Sequence, residues 1–244
     1  MTYCVGMTLN SGIVFMSDTR TNAGVDDIAS VKKMHTWTVD GDRVITIMTA
    51  GNLATTQSLI SLLSERSVKP KKRDPSILKA PTMFQVARLV GDTLREVIQS
   101  NAGSGQEASS AFNATVIVGG QIKGMTPRLF LVYPEGNFIE ASADNPFFQI
   151  GENKYGKPIL VRAYDPEMSH KAAMKLLLVS FDSTIKANLS VGLPLDYQIY
   201  ETDSFKLEKQ GRIEADDPYF LQVSNGWGDA LKEAFLELPE FSFD

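Results

Sequence analysis

Apolar residues near the start of the chain fall in short runs, each closed by turn-forming residues. Tyr3 to Leu9 is β-prone, Asn10-Ser11 supplies a turn, and Gly12 to Asp18 is a second apolar run. The pair predicts a β-hairpin with Asp18 at a strand end. Lys33 to Val39 and Arg43 to Ala50, joined through Asp40-Gly41-Asp42, predict a second hairpin. Between the hairpins, Thr19 to Ser30 carries Gly24 and the acidic pair Asp26-Asp27, and reads as a loop arching over the end of the sheet. Beyond Asn52 the period changes. Leu53, Leu59, Ile60 and Leu63, and then Met83, Val86, Ala87, Val90, Leu94, Val97 and Ile98, supply apolar faces at helical spacing and predict two helices.

The charged, proline-bearing segment from Lys69 to Pro75 separates those helices as a surface loop. After a Gly/Ser-rich connection from Ala102 to Ser110, strands are predicted at Ala111 to Gly119, Arg128 to Tyr133 and Asn137 to Ser142, the last pair turning at Glu135-Gly136. Ser169 has the chemistry of an N-cap. It precedes a helix striped by Met174, Leu177, Leu178, Phe181 and Ile185 and stopped before Gly192-Leu193-Pro194. Asp196 to Glu201 and Phe205 to Ile213 predict strands joined by Thr202-Asp203-Ser204, and Tyr219 to about Leu238 predicts a helical tail. Strands and helices therefore come in segregated blocks. That order indicates an antiparallel α+β arrangement in one domain over residues 1–244, not alternating βαβ units.

Composition narrows the partners. The 244 residues, 43% of them hydrophobic, suffice for a substantial core. Lysine and arginine total 24 against 29 acidic residues, and the net charge of -5 opposes nonspecific binding to nucleic acid. A single cysteine allows no intramolecular disulfide framework, and the first residues lack the basic stretch and apolar core of a signal peptide. A reducing cytoplasm is the expected compartment. No apolar run approaches the ~20 residues that span a bilayer, so no membrane partner is expected.

The chemistry concentrates at the beginning of the chain. Removal of Met1 would leave Thr2 with a hydroxyl and a free α-amine on one residue. An amine with a pKa of about 7.7 to 8 can accept the hydroxyl proton, directly or through a water. Such a nucleophile needs a cation to hold its developing charge and a carboxylate to fix that cation. Lys33 and Asp18 fit those roles, and strand alternation selects Lys33 over Lys32. Thr49-Ala50-Gly51-Asn52 sits where a strand passes into a helix, so backbone N–H groups and a positive helix end could meet an oxyanion there. Each feature also has a plainer reading: a strand-end turn residue for Asp18, a solvated side chain for Lys33, an ordinary strand-to-helix turn at Gly51.

Taken together, Thr2 followed by a strand, Gly12-Ile13-Val14, Ser17-Asp18-Thr19-Arg20-Thr21, Ala23-Gly24, Val31-Lys32-Lys33-Met34 and Thr49-Ala50-Gly51-Asn52 resemble a proteasome β-subunit. The likeness is to the bacterial Anbu (ancestral β-subunit) branch above all. It is densest from Thr2 to Gln57 and thins beyond to the order of elements and phrases such as Asn188-Leu189-Ser190-Val191-Gly192-Leu193-Pro194. The resemblance implies the N-terminal-nucleophile hydrolase fold, a four-layer αββα sandwich of two antiparallel sheets flanked by helices. It implies Thr2 as nucleophile supported by Asp18 and Lys33, with the Gly51 amide in the oxyanion hole. Thr21, Val31, Thr49 and Leu53 would line the first specificity pocket, an uncharged set suited to small or apolar side chains. Ser190 and Asn188 fall near the segment that supplies an aspartate and a serine to the threonine amine in that family. The aspartate is absent here, which leaves Asn188 to accept a hydrogen bond, and Glu152 stands where a serine is expected.

The activity implied is that of a threonine-type peptidase working on peptide or protein substrates inside a homo-oligomeric ring or helix, with no metal or organic cofactor. The aromatic tail from Phe235 to Phe241, which a monomer would leave partly wet, points the same way. An unfolding ATPase or operon partner is left open. So are two rival readings, an assembled scaffold whose site is inactive or serves a partner, and an amidase or amide-transferring enzyme for small molecules.

Several tempting motifs carry less. Gly151 to Pro158 nearly spells a P-loop, but proline replaces the magnesium-binding hydroxyl residue and the following helix is expected to be interrupted. His35 and His170 are the two histidines, one in a predicted strand and one in a helix, so no histidine metal cluster can form. Cys4 lies within the first strand, where a buried, inert thiol is expected. Lys69 to Arg73 reads as a solvated loop, and the sequons at Asn113 and Asn188 have no secretory route.

Overall fold

Alternation along the first strand sends its side chains to two different cores. In the computed structural model, which describes residues 2–22, 28–68, 75–102 and 111–243, Tyr3, Val5, Met7 and Leu9 of β1 (Tyr3–Leu9) point to one side with Val14 and Met16 of β2 (Gly12–Asp18). Cys4, Ile13 and Phe15 point to the other. Both faces of this hairpin are therefore covered. Its sheet has the order β10-β1-β2-β11-β12, where β10 is Phe147–Gly151, β11 is Leu195–Glu201 and β12 is Lys209–Ile213. A second five-stranded sheet runs β5-β6-β7-β8-β9, formed by Met34–Val39, Arg43–Gly51, Ala114–Ile122, Arg128–Val132 and Phe138–Glu140. All pairings in both sheets are antiparallel.

Three cores stack between four layers. The middle one holds Cys4, Ile13, Phe15, Met48, Ile117, Leu129 and Phe148 between the two sheets. One outer core packs Ile45, Ile47, Val116, Val118 and Phe130 against α1 (Leu53–Val68) and α2 (Met83–Ala102). The other packs the outward residues of β1 and β2 against Leu160 of α3 (Lys157–Ala163), Leu177 and Phe181 of α4 (His170–Ala187), and Phe220 of α5 (Pro218–Leu236). This is the α+β, αββα sandwich. Polar groups in the middle layer are paired across the sheets. Gln198 donates to Thr46 Oγ1 at 2.6 Å and accepts from Thr36 Oγ1 at 2.8 Å, and Tyr200 donates to Gln121 at 2.6 Å.

Several elements differ from the sequence-based expectation. The stretch expected to be a loop from Thr19 to Ser30 contains a two-stranded ribbon of β3 (Arg20–Asn22) and β4 (Ile28–Ser30), while Gly24, Asp26 and Asp27 lie outside the described residues. β7 begins at Ala114, three residues after the predicted Ala111, because Ala111 is still helical and the Asn113 carbonyl is taken by the Asn52 amide at 2.9 Å. β12 starts at Lys209, not Phe205. Asp203 and Phe205 adopt left-handed φ values of 61° and 47°, and Gln121 holds Asp203 through both its backbone N–H and its carboxylate. β10 and α3 were not predicted. The near P-loop joins these two elements, and the helix expected to be interrupted forms with Pro158 in its first turn, where a missing N–H costs nothing. The expected loop at Lys69 to Asp74 and most of the Gly/Ser-rich connection lie outside the described residues.

Candidate functional site

Asp18 ends β2 on the strand that carries Met16 outward, and its carboxylate turns back on the neighbouring strand. Its Oδ1 accepts the Tyr3 backbone N–H at 2.9 Å and the Lys33 ammonium at 2.7 Å. Lys33 Nζ also donates to the Arg20 carbonyl at 2.5 Å. Asp18 is 0% and Lys33 6% exposed, whereas Lys32 is exposed. Residues 31–33 lie outside a strand and Lys33 and Met34 are both buried, so strand alternation does not separate the two lysines; the ion pair with Asp18 does, and the Thr49 N–H holds the Lys33 carbonyl at 3.0 Å. Burial pushes the Asp18 carboxyl above its usual range; the Lys33 ammonium and the Tyr3 and Gly192 amides pull against it. Asp18 Oδ2 is buried with no partner in hydrogen-bond geometry.

Thr2 is buried at the mouth of β1, and its carbonyl accepts the Glu152 N–H at 2.6 Å, which continues the β1–β10 ladder past the Tyr3–Gly151 pair. Gly151 has φ 82°, and a Cβ there would stand 2.0 Å from the Thr2 carbonyl oxygen. Only glycine lets the two backbones approach this closely. Thr2 and Lys33 open onto a cavity of about 590 Å³ that Gly51, Thr21, Val31, Thr49 and Leu53 also line. Gly51, at the end of β6, has φ 119°, and a Cβ would meet the Asn113 carbonyl oxygen at 2.4 Å. Asn52 then caps α1 by accepting the Thr55 N–H at 3.1 Å. Sequence reasoning missed the contribution of the first turns of α1, where Thr56, Gln57 and Ile60 extend the wall, and that of His35, whose imidazole burial disposes to stay neutral.

Asn188 and Ser190 do not line that cavity. The Ser190 backbone N–H donates to Asn188 Oδ1 at 3.0 Å, and Asn188 Nδ2 donates to Glu152 Oε2 at 2.9 Å. Glu152 Oε1 accepts the Lys154 N–H at 3.0 Å. Asn188 is thus tied to Thr2 through Glu152, and its amide donates toward that carboxylate where the sequence suggested an acceptor. The departure from an expected serine was the one signal in the sequence that marked Glu152. Cys4 is buried, with its thiol pushed upward by desolvation, which keeps it protonated and inert. His170 Nε2 lies 3.0 Å from Ser11 Oγ, away from this cluster. Among the described residues no group of three or more His, Cys, Asp or Glu side chains could hold a metal ion, and no helix is long and apolar enough to cross a membrane.

Comparisons with known proteins give the family. The profile of the family described as "Proteasome subunit" matches residues 2–192. No curated protein matches the chain. Among solved structures, Anbu (ancestral beta-subunit) from Yersinia bercovieri is 47% identical over 99% of this chain and 100% of its own, with a TM-score of 0.91. Anbu from Hyphomicrobium sp. strain MC1 is 49% identical over 98% and 99%, with a TM-score of 0.90. The subunit of the helical assembly of the Anbu complex from Pseudomonas aeruginosa is 43% identical over 99% and 98%, with a TM-score of 0.89. With a matched profile over most of its length and full-length likeness to three Anbu proteins, the chain belongs to the proteasome-subunit family, in its Anbu (ancestral β-subunit) branch.

Proposed function

We propose that the chain is an N-terminal threonine hydrolase that cleaves peptide bonds once Met1 has been removed. The observation that carries this reading is the buried Asp18–Lys33 ion pair, whose lysine lines the cavity shared by Thr2 and Gly51. In the reaction, Thr2 Oγ gives its proton to the α-amine, directly or through a water, as the Oγ–C bond forms, and Lys33 steadies the negative charge on Oγ. The carbonyl's electron pair moves onto its oxygen, which the Gly51 amide receives. The C–N bond then breaks as the proton held by the α-amine passes to the departing amine, leaving an acyl ester on Thr2. Water attacks that ester with the amine again accepting the proton, and the proton returns to Oγ as the acid leaves.

Thr21, Val31, Thr49 and Leu53 fit the first substrate side chain, and their uncharged surface favours small or apolar groups. Self-assembly around this site would confine hydrolysis to chains that can enter. A panel of peptides and small amides tests the reading: the wild-type protein should cleave the peptides and Thr2→Ala should leave them intact. Cleavage of small amides alone would move the assignment to an amidase, and equal turnover by Thr2→Ala would refute the nucleophile.

A further inference from the structure

Glu152 is a nearly buried carboxylate without a cation. It is 7% exposed, its two oxygens accept hydrogen bonds from the neutral Lys154 N–H and Asn188 Nδ2, and among the described residues it forms no ion pair. The Asn188 amide is itself oriented, because its Oδ1 takes the Ser190 N–H and so turns Nδ2 toward Glu152. Holding a negative charge this deep on neutral donors alone is costly. Glu152 also stands directly across the ladder from Thr2, linked by the 2.6 Å backbone bond, and residues so opposed carry their side chains on one face of the sheet.

We propose that Glu152, held by Asn188, is the counter-charge of the Thr2 α-amine and positions that amine for its work as base. The inference rests on the threonine-nucleophile reading. The other charges near the start of β1 are already engaged: Lys33 with Asp18 and the Arg20 carbonyl, and the Arg20 guanidinium with the Leu189 carbonyl at 2.9 Å. In the last turn of α4, Lys186 faces Asp182 at 3.8 Å, and beyond the helix Asn188 and Ser190 bring no charge. Removal of Met1 moves the α-ammonium onto Thr2, opposite a nearly buried carboxylate that forms no ion pair among the described residues. A carboxylate there favours the protonated amine. It therefore makes the amine a stronger base toward the Thr2 hydroxyl and stabilises the ammonium formed when that proton moves.

The test reads the amine itself and not turnover. Trace acetylation with acetic anhydride across pH, followed by mass spectrometry of the N-terminal peptide, gives the α-amine pKa in the assembled protein. Glu152→Gln, which keeps the shape but not the charge, should lower that pKa by about one unit or more. Glu152→Asp should stay near the wild-type value. Should Glu152→Gln fail to fold, Glu152→Ser removes the same charge with less bulk and carries the same expectation. Equal values in wild type and the neutral variant would overturn the proposal while leaving the nucleophile assignment intact. Retention of Met1 in the purified protein would remove the amine and overturn both. A shift without detectable peptide hydrolysis would support the positioning role and count against the peptidase reading alone.

Discussion

Lys33 is almost wholly buried. Its ammonium is buried against Asp18 and the Arg20 carbonyl, so each partner of the pair depends on the other. Lys33→Ala should abolish attack by Thr2, and it should also destabilise the fold by about 3 to 5 kcal/mol, because it strands a buried carboxylate. Urea unfolding of the variant measures this, and a loss below about 1 kcal/mol would mean water already reaches Asp18. Asp18 itself should titrate above the ordinary 3.8, as burial outweighs its partners. With the folded value raised, the folded chain binds the proton first. This group's contribution to stability is therefore present below 3.8 and is lost as pH rises through the folded value, while the ionised pair that activity needs appears over the same rise. A carboxyl NMR titration with its midpoint at or below 3.8 would show instead that Lys33 dominates. Thr2, Asp18 and Lys33 could be placed together from the sequence because they lie within one hairpin and its sequel, while their roles came from the resemblance. Glu152 reaches Thr2 from the far half of the chain and Asn188 reaches Glu152, and nothing in the spacing of residues announces either contact.

Helix α1 does two things at once, supplying an outer core through Leu59 and Leu63 and a cavity wall through Leu53, Thr56, Gln57 and Ile60. Its start is fixed by Asn52, which takes the Thr55 N–H and donates through Nδ2 to the Ala111 carbonyl at 3.0 Å. Asn52→Ala should cost about 1 kcal/mol by denaturant unfolding, as for other N-caps, and should slow labelling by an electrophile because the turn that follows Gly51 loses its side-chain hold on Thr55 and Ala111. Unchanged labelling with reduced stability would separate the cap from the site. The two hairpins and the long helices were readable because turn residues bound them and their periods are sustained. β3 and β4, of three residues each, are too short to show a period, and β10 gains its identity from pairing with β1, across the stretch of chain that separates Met7 from Phe147. The start of β12 was misread for a related reason. Gln121, on the other sheet, sets the backbone around Asp203.

At the scale of the molecule, the layer order could not come from periodicity, since each strand of the first hairpin is apolar on both faces and the sequence does not say which face meets a sheet and which a helix. The resemblance supplied it. The C-terminal end carries the surface that the fold leaves uncovered: Phe235 is 72% and Phe243 96% exposed, with Leu236, Leu238 and Phe241 between them. The expectation is that a second copy of the chain covers this surface, as a relative is described as the helical assembly of the Anbu complex from Pseudomonas aeruginosa. Light scattering should give a mass many times 26.8 kDa, and Phe235→Ser with Phe241→Ser should lower it. A stable, fully active monomer would contradict this. The central claim, that a free Thr2 is the nucleophile, is tested most directly by tandem mass spectrometry of the wild-type protein after treatment with an electrophilic peptide inhibitor. The account predicts one adduct per chain on Thr2 at a new N-terminus, with Met1 gone. An adduct on any other residue, or labelling of chains that retain Met1, would contradict it.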